Sequence, residues 1–213
     1  MRRIVDVLFS LTVLLLFSPA LAAIALAVVT DSRGPVLYRA RRCGLGGKVF
    51  RMWKFRTMIM DADRAGPITS RNDPRITRAG RLLRSTKLDE MPQFLNVLFG
   101  DMTLVGPRPE TPEIVALYTP IQRAVLEVKP GVTGRVQLEA GEESDSIPEG
   151  VQPQQYYLEH LLAPKLSMDL AYLKVRTAWS DVRILGETAA YVQRCLAGRK
   201  RPPYSESIHE ATN

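Results

Sequence analysis

The chain is poor in the residues that build redox and histidine chemistry. It has two cysteines, Cys43 and Cys195, and no Cys-x-x-Cys pair. A disulfide framework and the common zinc sites are therefore excluded, and a reduced, cytoplasmic setting fits. Its two histidines, His160 and His209, leave little room for a histidine-centred active site. A P-loop is also lacking. Gly44-x-Gly-Gly-Lys48 is too short, carries no Ser or Thr after the lysine, and precedes strand-like sequence. Acidic residues are scarce in one quarter of the chain. Residues 33–87 hold 15 basic and 3 acidic side chains, whereas residues 1–32 are neutral and residues 88–213 carry a net −5.

What is present is arginine, 22 against 7 lysines, within 213 residues of net charge +7. Arginine favours forked contacts to phosphate or carboxylate. Nucleic acid, anionic lipid and nucleotide phosphate are the candidate partners, beside the plainer reading of a solvated cationic face. The length suits one domain with appendages, and a hydrophobic fraction of 46% can build its core.

Val7–Val29 is a run of 23 residues without a charge, long enough for a bilayer, which needs roughly 20. Three readings compete. Arg2-Arg3, an apolar stretch and Ala20-Leu21-Ala22 match a signal peptide, yet the run continues through Val29. A spanning helix fits poorly, because basic residues flank both ends (Arg2, Arg3 and Arg33, Arg39, Arg41, Arg42) and positive charge favours one side. A re-entrant helix is the third reading. Ser18-Pro19 sits mid-run; proline kinks the helix, and the serine hydroxyl can satisfy a freed carbonyl.

Within the cationic block, residues 35–41 and 48–57 flank a glycine loop and read as a β-hairpin. Asp61-Ala-Asp63 matches the short Asp-x-Asp pattern by which some glycosyltransferases hold a nucleotide-sugar through metal. Ile76–Arg84 has helical spacing. Thr86-x-x-Asp89 resembles a capping box, Pro92 suits a first helical turn, and Gly100 ends the helix. Asp89 and Glu90 thus lie at or just before a helix N-terminus. Capping explains such a pair, but the cationic segment upstream and the competence of Asp as a nucleophile toward phosphorus suggest chemistry. Downstream, Gly106-Pro-Arg-Pro109 presents Arg108 on a stiff turn suited to clamping a phosphate.

These motifs, in order, closely resemble the bacterial sugar transferases, the monotopic phosphoglycosyl transferases. They are Lys54-Phe-Arg-Thr-Met58, Leu83-Arg84, Leu88-Asp-Glu-x-Pro-Gln93, Asn96-Val-Leu-x-Gly-Asp-Met102, Val105-Gly-Pro-Arg-Pro109 and Lys129-Pro-Gly-Val-Thr-Gly134. The resemblance covers roughly residues 1–185. It implies transfer of a sugar-1-phosphate from a UDP-sugar to polyprenyl phosphate, with release of UMP and a need for Mg²⁺. It implies that Asp89 attacks the β-phosphorus, forms a phosphosugar-aspartyl intermediate and ligates metal, that Glu90 assists, and that Arg108 holds a phosphate. It points to Lys54, Arg56, Arg84 and Arg135 as further substrate contacts, and to a re-entrant helix broken at Ser18-Pro19. The sequence departs from the family at Gln137-Leu-Glu-Ala-Gly-Glu-Glu143, where many members carry Gln-x-Asn-Gly-Arg; Arg135 is the candidate to compensate.

The expected fold is α+β and mostly helical, with a re-entrant membrane helix at 1–30, a catalytic domain at 31–197 on the cytoplasmic face of the inner membrane, and a flexible tail at 198–213. Residues 111–128 are expected to form a helix interrupted at Pro120, residues 135–137 to follow a turn, and residues 156–162 and 166–179 to form amphipathic helices on the core or the bilayer interface. The implied partners are a UDP-sugar, polyprenyl phosphate and membrane lipid, with no nucleic acid and with room for an oligomer. The rivals are a secreted or surface binding protein with a cleaved signal and a glycosyltransferase using Asp61 and Asp63.

Overall fold

The computed structural model describes residues 2–62, 68–69, 73–140 and 146–199. The chain is mostly helical with two small sheets. Helix α1 (Arg2–Leu16) and helix α2 (Ser18–Asp31) meet at a 64° bend. Among the described residues no single helix is long and apolar enough to cross a membrane, whereas this bent pair passes by length and composition.

The bend has a local cause. Pro19 has no N–H for the carbonyl of Leu15, and the Ser18 hydroxyl donates to that carbonyl instead at 2.8 Å. On either side the helical ladder continues, from Phe17 N–H to Val13 at 3.0 Å and from Leu21 N–H to Phe17 at 2.9 Å. The kink therefore leaves Leu15 satisfied amid exposed apolar side chains such as Leu8, Leu16 and Leu26.

Both ends of the pair are tied to the rest of the fold. Arg3 donates to the carbonyls of Val97 and, at 2.8 Å, Leu98, and Asp6 accepts from the Thr103 hydroxyl at 2.7 Å. Phe9 packs on Phe94 with ring centroids 6.2 Å apart. At the other end Val28 packs with Phe55 and Leu83. Asp31 accepts from the N–H of Ala79 at 2.9 Å, and that bond, opposed by burial, holds its pKa below the ordinary value.

Strands β1 (Leu37–Cys43) and β2 (Val49–Phe55) form the expected antiparallel hairpin, pairing Leu37 with Phe55 and Cys43 with Val49. Gly46 and Gly47 take positive φ in its loop, which only glycine adopts cheaply. Helix α3 (Arg78–Thr86) is capped by the Thr77 hydroxyl, and helix α4 (Gln93–Phe99) ends at Gly100 as expected. The Asn96 side chain works as a surrogate strand partner for β2: it accepts from Trp53 N–H at 2.9 Å and donates to the Arg51 carbonyl at 2.8 Å.

Strands β3 (Thr103–Val105) and β4 (Gly131–Thr133) pair in parallel and bring the two glycine-proline turns together. Helix α5 (Pro112–Val115) is a single turn, followed by a 3₁₀ stretch at Gln122–Glu127. The expected longer helix does not form, because Thr119 and Gln122 exchange side-chain-to-backbone bonds around Pro120. Helix α6 (Arg135–Ala140) follows β4 directly. Helix α7 (Pro153–Tyr156) runs through a π turn at Tyr157–Leu161 into helix α8 (Leu162–Val175), and helix α9 (Ala178–Leu196) starts with a Thr177–Ser180 capping box. Tyr157 and Leu161 are buried, whereas Val175, Trp179 and Val182 stand exposed.

Candidate active site

Helix α3 stops because Lys87 adopts the left-handed conformation, φ 63°. The Thr86 hydroxyl turns back to the carbonyls of Leu82 and Leu83, at 2.8 and 3.1 Å, and does not cap the next helix. Leu88–Glu90 form a 3₁₀ turn leading to Pro92 and α4. The turn splits the two carboxylates. Glu90 lines a cavity of about 330 Å³, while Asp89 is buried, 6% exposed, and is not among the described lining residues.

Glu90 is held by two cations. Its Oε1 accepts from Lys54 Nζ and from Arg108, each at 2.8 Å, and a second Arg108 nitrogen lies 3.4 Å from Oε2. Burial opposes the charge on Glu90, but Arg108 and then Lys54 outweigh it, and its pKa falls well below the carboxylate range. Burial likewise pushes the Lys54 ammonium below its ordinary value, against the pull of Glu90; Arg108 pushes the same way, and Asp89 also pulls it up. Lys54 is thus placed within electrostatic reach of both carboxylates.

Arg108 is presented by a braced turn. Gly106 N–H donates to Thr133 and Gly131 N–H to Pro107, each at 2.9 Å. Just upstream, Arg176 donates to the Val105 carbonyl at 2.7 Å while paired with Asp181 at 2.9 Å. Arg84 and Lys87 also line the cavity, and Arg84 reaches the Thr69 hydroxyl at 3.5 Å.

The cavity has two further walls. On one, Lys165 bonds Tyr157 at 2.7 Å and Glu110 at 3.2 Å, and Tyr157 donates to Glu110. Burial there raises the pKa of Asp169 to about 7, with Lys165 opposing and Glu110 assisting. The other wall carries Thr133, Gln137 and Thr188 beside apolar residues of α9.

Of the residues expected from sequence, Lys54, Arg84, Glu90 and Arg108 come together at the cavity, with Asp89 beside Glu90. Arg56 is placed elsewhere. Its guanidinium donates to the carbonyls of Arg33, of Ser32 at 2.7 Å and of Val28 at 3.3 Å, closing the C-terminus of α2. Arg135 is not among the described lining residues either: it pairs with Glu139 one turn on and lies 3.6 Å from Glu187. Asp61 sits in a left-handed turn, φ 60°, and Asp63 lies outside the described residues. Sequence reading passed over Arg42, Lys87, Glu110 and Lys165, which line the cavity as well. Glu110 carried a signal, directly following the Gly-Pro-Arg-Pro turn.

Among the described residues no three His, Cys, Asp or Glu side chains gather as a metal cage. Magnesium rarely needs one, because it binds through one or two carboxylates together with substrate phosphates. Of the two carboxylates of this turn, Glu90 already accepts from Lys54 and Arg108, and Asp89 is buried.

The sequence profile described as bacterial sugar transferase matches residues 1–195. The chain is 37% identical over 190 residues to the UDP-glucose:undecaprenyl-phosphate glucose-1-phosphate transferase of Escherichia coli (strain K12), covering 87% of this chain and 38% of that protein. It is 37% identical over 196 residues to the transferase of the same description from Caulobacter vibrioides, covering 88% of this chain and 67% of that protein. To the undecaprenyl-phosphate galactose phosphotransferase of Salmonella typhimurium it is 34% identical over 210 residues, covering 91% and 40%. The chain belongs to the bacterial sugar transferase family. It spans about two-fifths of the length of the E. coli and Salmonella relatives and two-thirds of the Caulobacter one.

Proposed function

We propose that the chain transfers a sugar-1-phosphate from a UDP-sugar to polyprenyl phosphate and releases UMP. The observation that carries this reading is the Lys54–Glu90–Arg108 cluster lining a cavity directly beside Asp89. Both substrates are anionic, and the cations of this cavity neutralise the charge they bring in. An oxygen of Asp89 attacks the β-phosphorus, the bond from that phosphorus to the UMP oxygen breaks, and UMP leaves with the electron pair. An oxygen of polyprenyl phosphate then attacks the same phosphorus and displaces Asp89, which splits one transfer into two in-line displacements. Because Asp89 is buried, its carboxylate must turn into the cavity when the donor binds. Glu90 holds Lys54 and Arg108 at the spacing at which they meet the diphosphate. A magnesium ion held by Asp89 and the donor phosphates would supply further charge neutralisation.

The bent N-terminal pair enters the membrane and returns to the face it left. Supporting this, Arg3 and Asp6 dock on α4 and β3 while Asp31 docks on α3, so both ends are bound to the same folded body. Basic residues at both ends favour the cytoplasmic face. The exposed Val175, Trp179 and Val182 suit contact with the bilayer interface.

The test is product identification. Purified protein incubated with individual UDP-sugars and polyprenyl phosphate should release UMP with one or more of them. Release of UDP, or no nucleotide product from any donor, refutes the reading.

A further inference from the structure

Relatives of nearly equal identity carry glucose and galactose in their descriptions, so overall similarity does not select a sugar for this chain. The uncharged part of the cavity lining offers a candidate selector. Both polar atoms of the Gln137 side chain, Oε1 and Nε2, are buried and have no hydrogen-bond partner among the described residues. Leaving a buried amide unpaired costs free energy. Gln137 lines the same cavity as Glu90 and Arg108.

Its neighbours define what it can recognise. Thr188 donates its hydroxyl hydrogen to the Ile184 carbonyl at 2.7 Å. Thr133, 2.7 Å from the Thr188 oxygen, is then the donor of that pair. Its own oxygen keeps lone pairs for a ligand, and Thr133 also lines the cavity. Gly134 keeps the space in front of the amide open, since a Cβ there would lie 2.8 Å from Gln137 Oε1. The wall thus offers two acceptors, Gln137 Oε1 and Thr133 Oγ1, and one amide donor. It carries no formal charge. A uracil edge, a single N–H between two carbonyls, would use the amide donor and one acceptor and leave the second acceptor unused. A pair of hydroxyls, each both donor and acceptor, can use them all.

We infer that Gln137, with Thr133 beside it, hydrogen-bonds the hydroxyls of the donor's sugar and sets which UDP-sugar is accepted. The inference rests on the proposed transfer reaction. Arg135, paired with Glu139 and Glu187, plays no part in it.

The test compares the wild-type enzyme with Gln137→Met, which keeps the side-chain length and removes the amide. The preferred UDP-sugar, its C4 epimer and single-deoxy analogues serve as donors, and UMP release is scored. Inhibition by free UMP, which has the nucleotide but no hexose, is measured in parallel. For Gln137→Met, kcat/KM for the preferred donor should fall about 10- to 100-fold, the effect of one or two lost hydrogen bonds. One deoxy analogue should lose as much with wild type and nothing further with the variant, and UMP inhibition should stay unchanged. Equal weakening of UMP inhibition would assign Gln137 to the nucleotide and overturn the inference. Unchanged donor preference in the variant would overturn it as well. Gln137→Asn guards against a folding defect: matching melting temperatures with altered donor ratios still support the inference, and matching temperatures with unaltered ratios refute it. If the wild-type protein releases no UMP from any donor, it is the transfer reaction itself that fails.

Discussion

Replacing Glu90 by Gln removes one negative charge from between two cations and changes little else. Lys54 and Glu90 are each 17% exposed in their side chains and Arg108 26%, so the cluster is mostly removed from water. At 2.8 Å and an effective dielectric of about 20, each contact is worth roughly 6 kcal/mol of Coulomb attraction. Most of that offsets the cost of desolvating three charges. What remains after deletion is Lys54 and Arg108 side by side without the carboxylate that bridged them, with the Asp89 charge still acting on Lys54. Breaking a buried pair in this way costs about 3–5 kcal/mol, and residual exposure together with the retained amide places Glu90→Gln near the lower figure, about 3 kcal/mol. For a chain of this size that is a fall in melting temperature of roughly 6–12 °C.

The pH dependence gives the charge its signature. The folded pKa of Glu90 lies below the ordinary value of 4.5, so its contribution is fully present above 4.5 and is lost as pH falls through the folded value. Thermal melts of wild type and Glu90→Gln in detergent, taken across that range, should differ most near neutrality and converge in acid. A variant that melts with wild type near neutral pH, or a gap that persists below the folded value, refutes the assignment.

Three other outcomes follow from the packing. Arg56→Ala, which uncaps α2, should lower stability by about 3 kcal/mol in a melt while leaving the KM for the UDP-sugar of the folded fraction unchanged; a raised KM at full stability would return Arg56 to the substrate. Asn96→Ala strands the Trp53 N–H and the Arg51 carbonyl, and chemical denaturation should report a loss of about 2–4 kcal/mol. Ser18→Ala strands the Leu15 carbonyl, and adding Pro19→Ala should recover the loss and straighten the pair. Cysteine-accessibility labelling of the N-terminus should then report both faces for Pro19→Ala; labelling from one face alone contradicts the role given to Pro19.

The hairpin was legible in the sequence because its β-rich segments and glycine loop are local signals, and Gly100 and Ser18-Pro19 carried their own chemistry. The start of α3 was displaced because Ile76 bridges Met58 across the chain. The apparent capping box at Thr86 failed because Lys87 takes a left-handed conformation that its residue type does not announce. Arg56 and Arg135 were expected from the family resemblance to contact substrate. Tertiary contacts reveal that Arg56 caps α2 and that Arg135 lies near Glu187, while its pair with Glu139 is made within α6. Lys165 and Glu110 meet across 55 positions of sequence, and no local pattern joins them.

Asp89 is the proposed nucleophile of the transfer. The direct measurement is the intact mass of the protein after mixing with its UDP-sugar in the absence of polyprenyl phosphate. The wild-type chain should gain one sugar phosphate, lose it when polyprenyl phosphate is added, and show no gain as Asp89→Asn. A sugar-phosphate adduct that persists in Asp89→Asn, or full turnover by that variant, would contradict it.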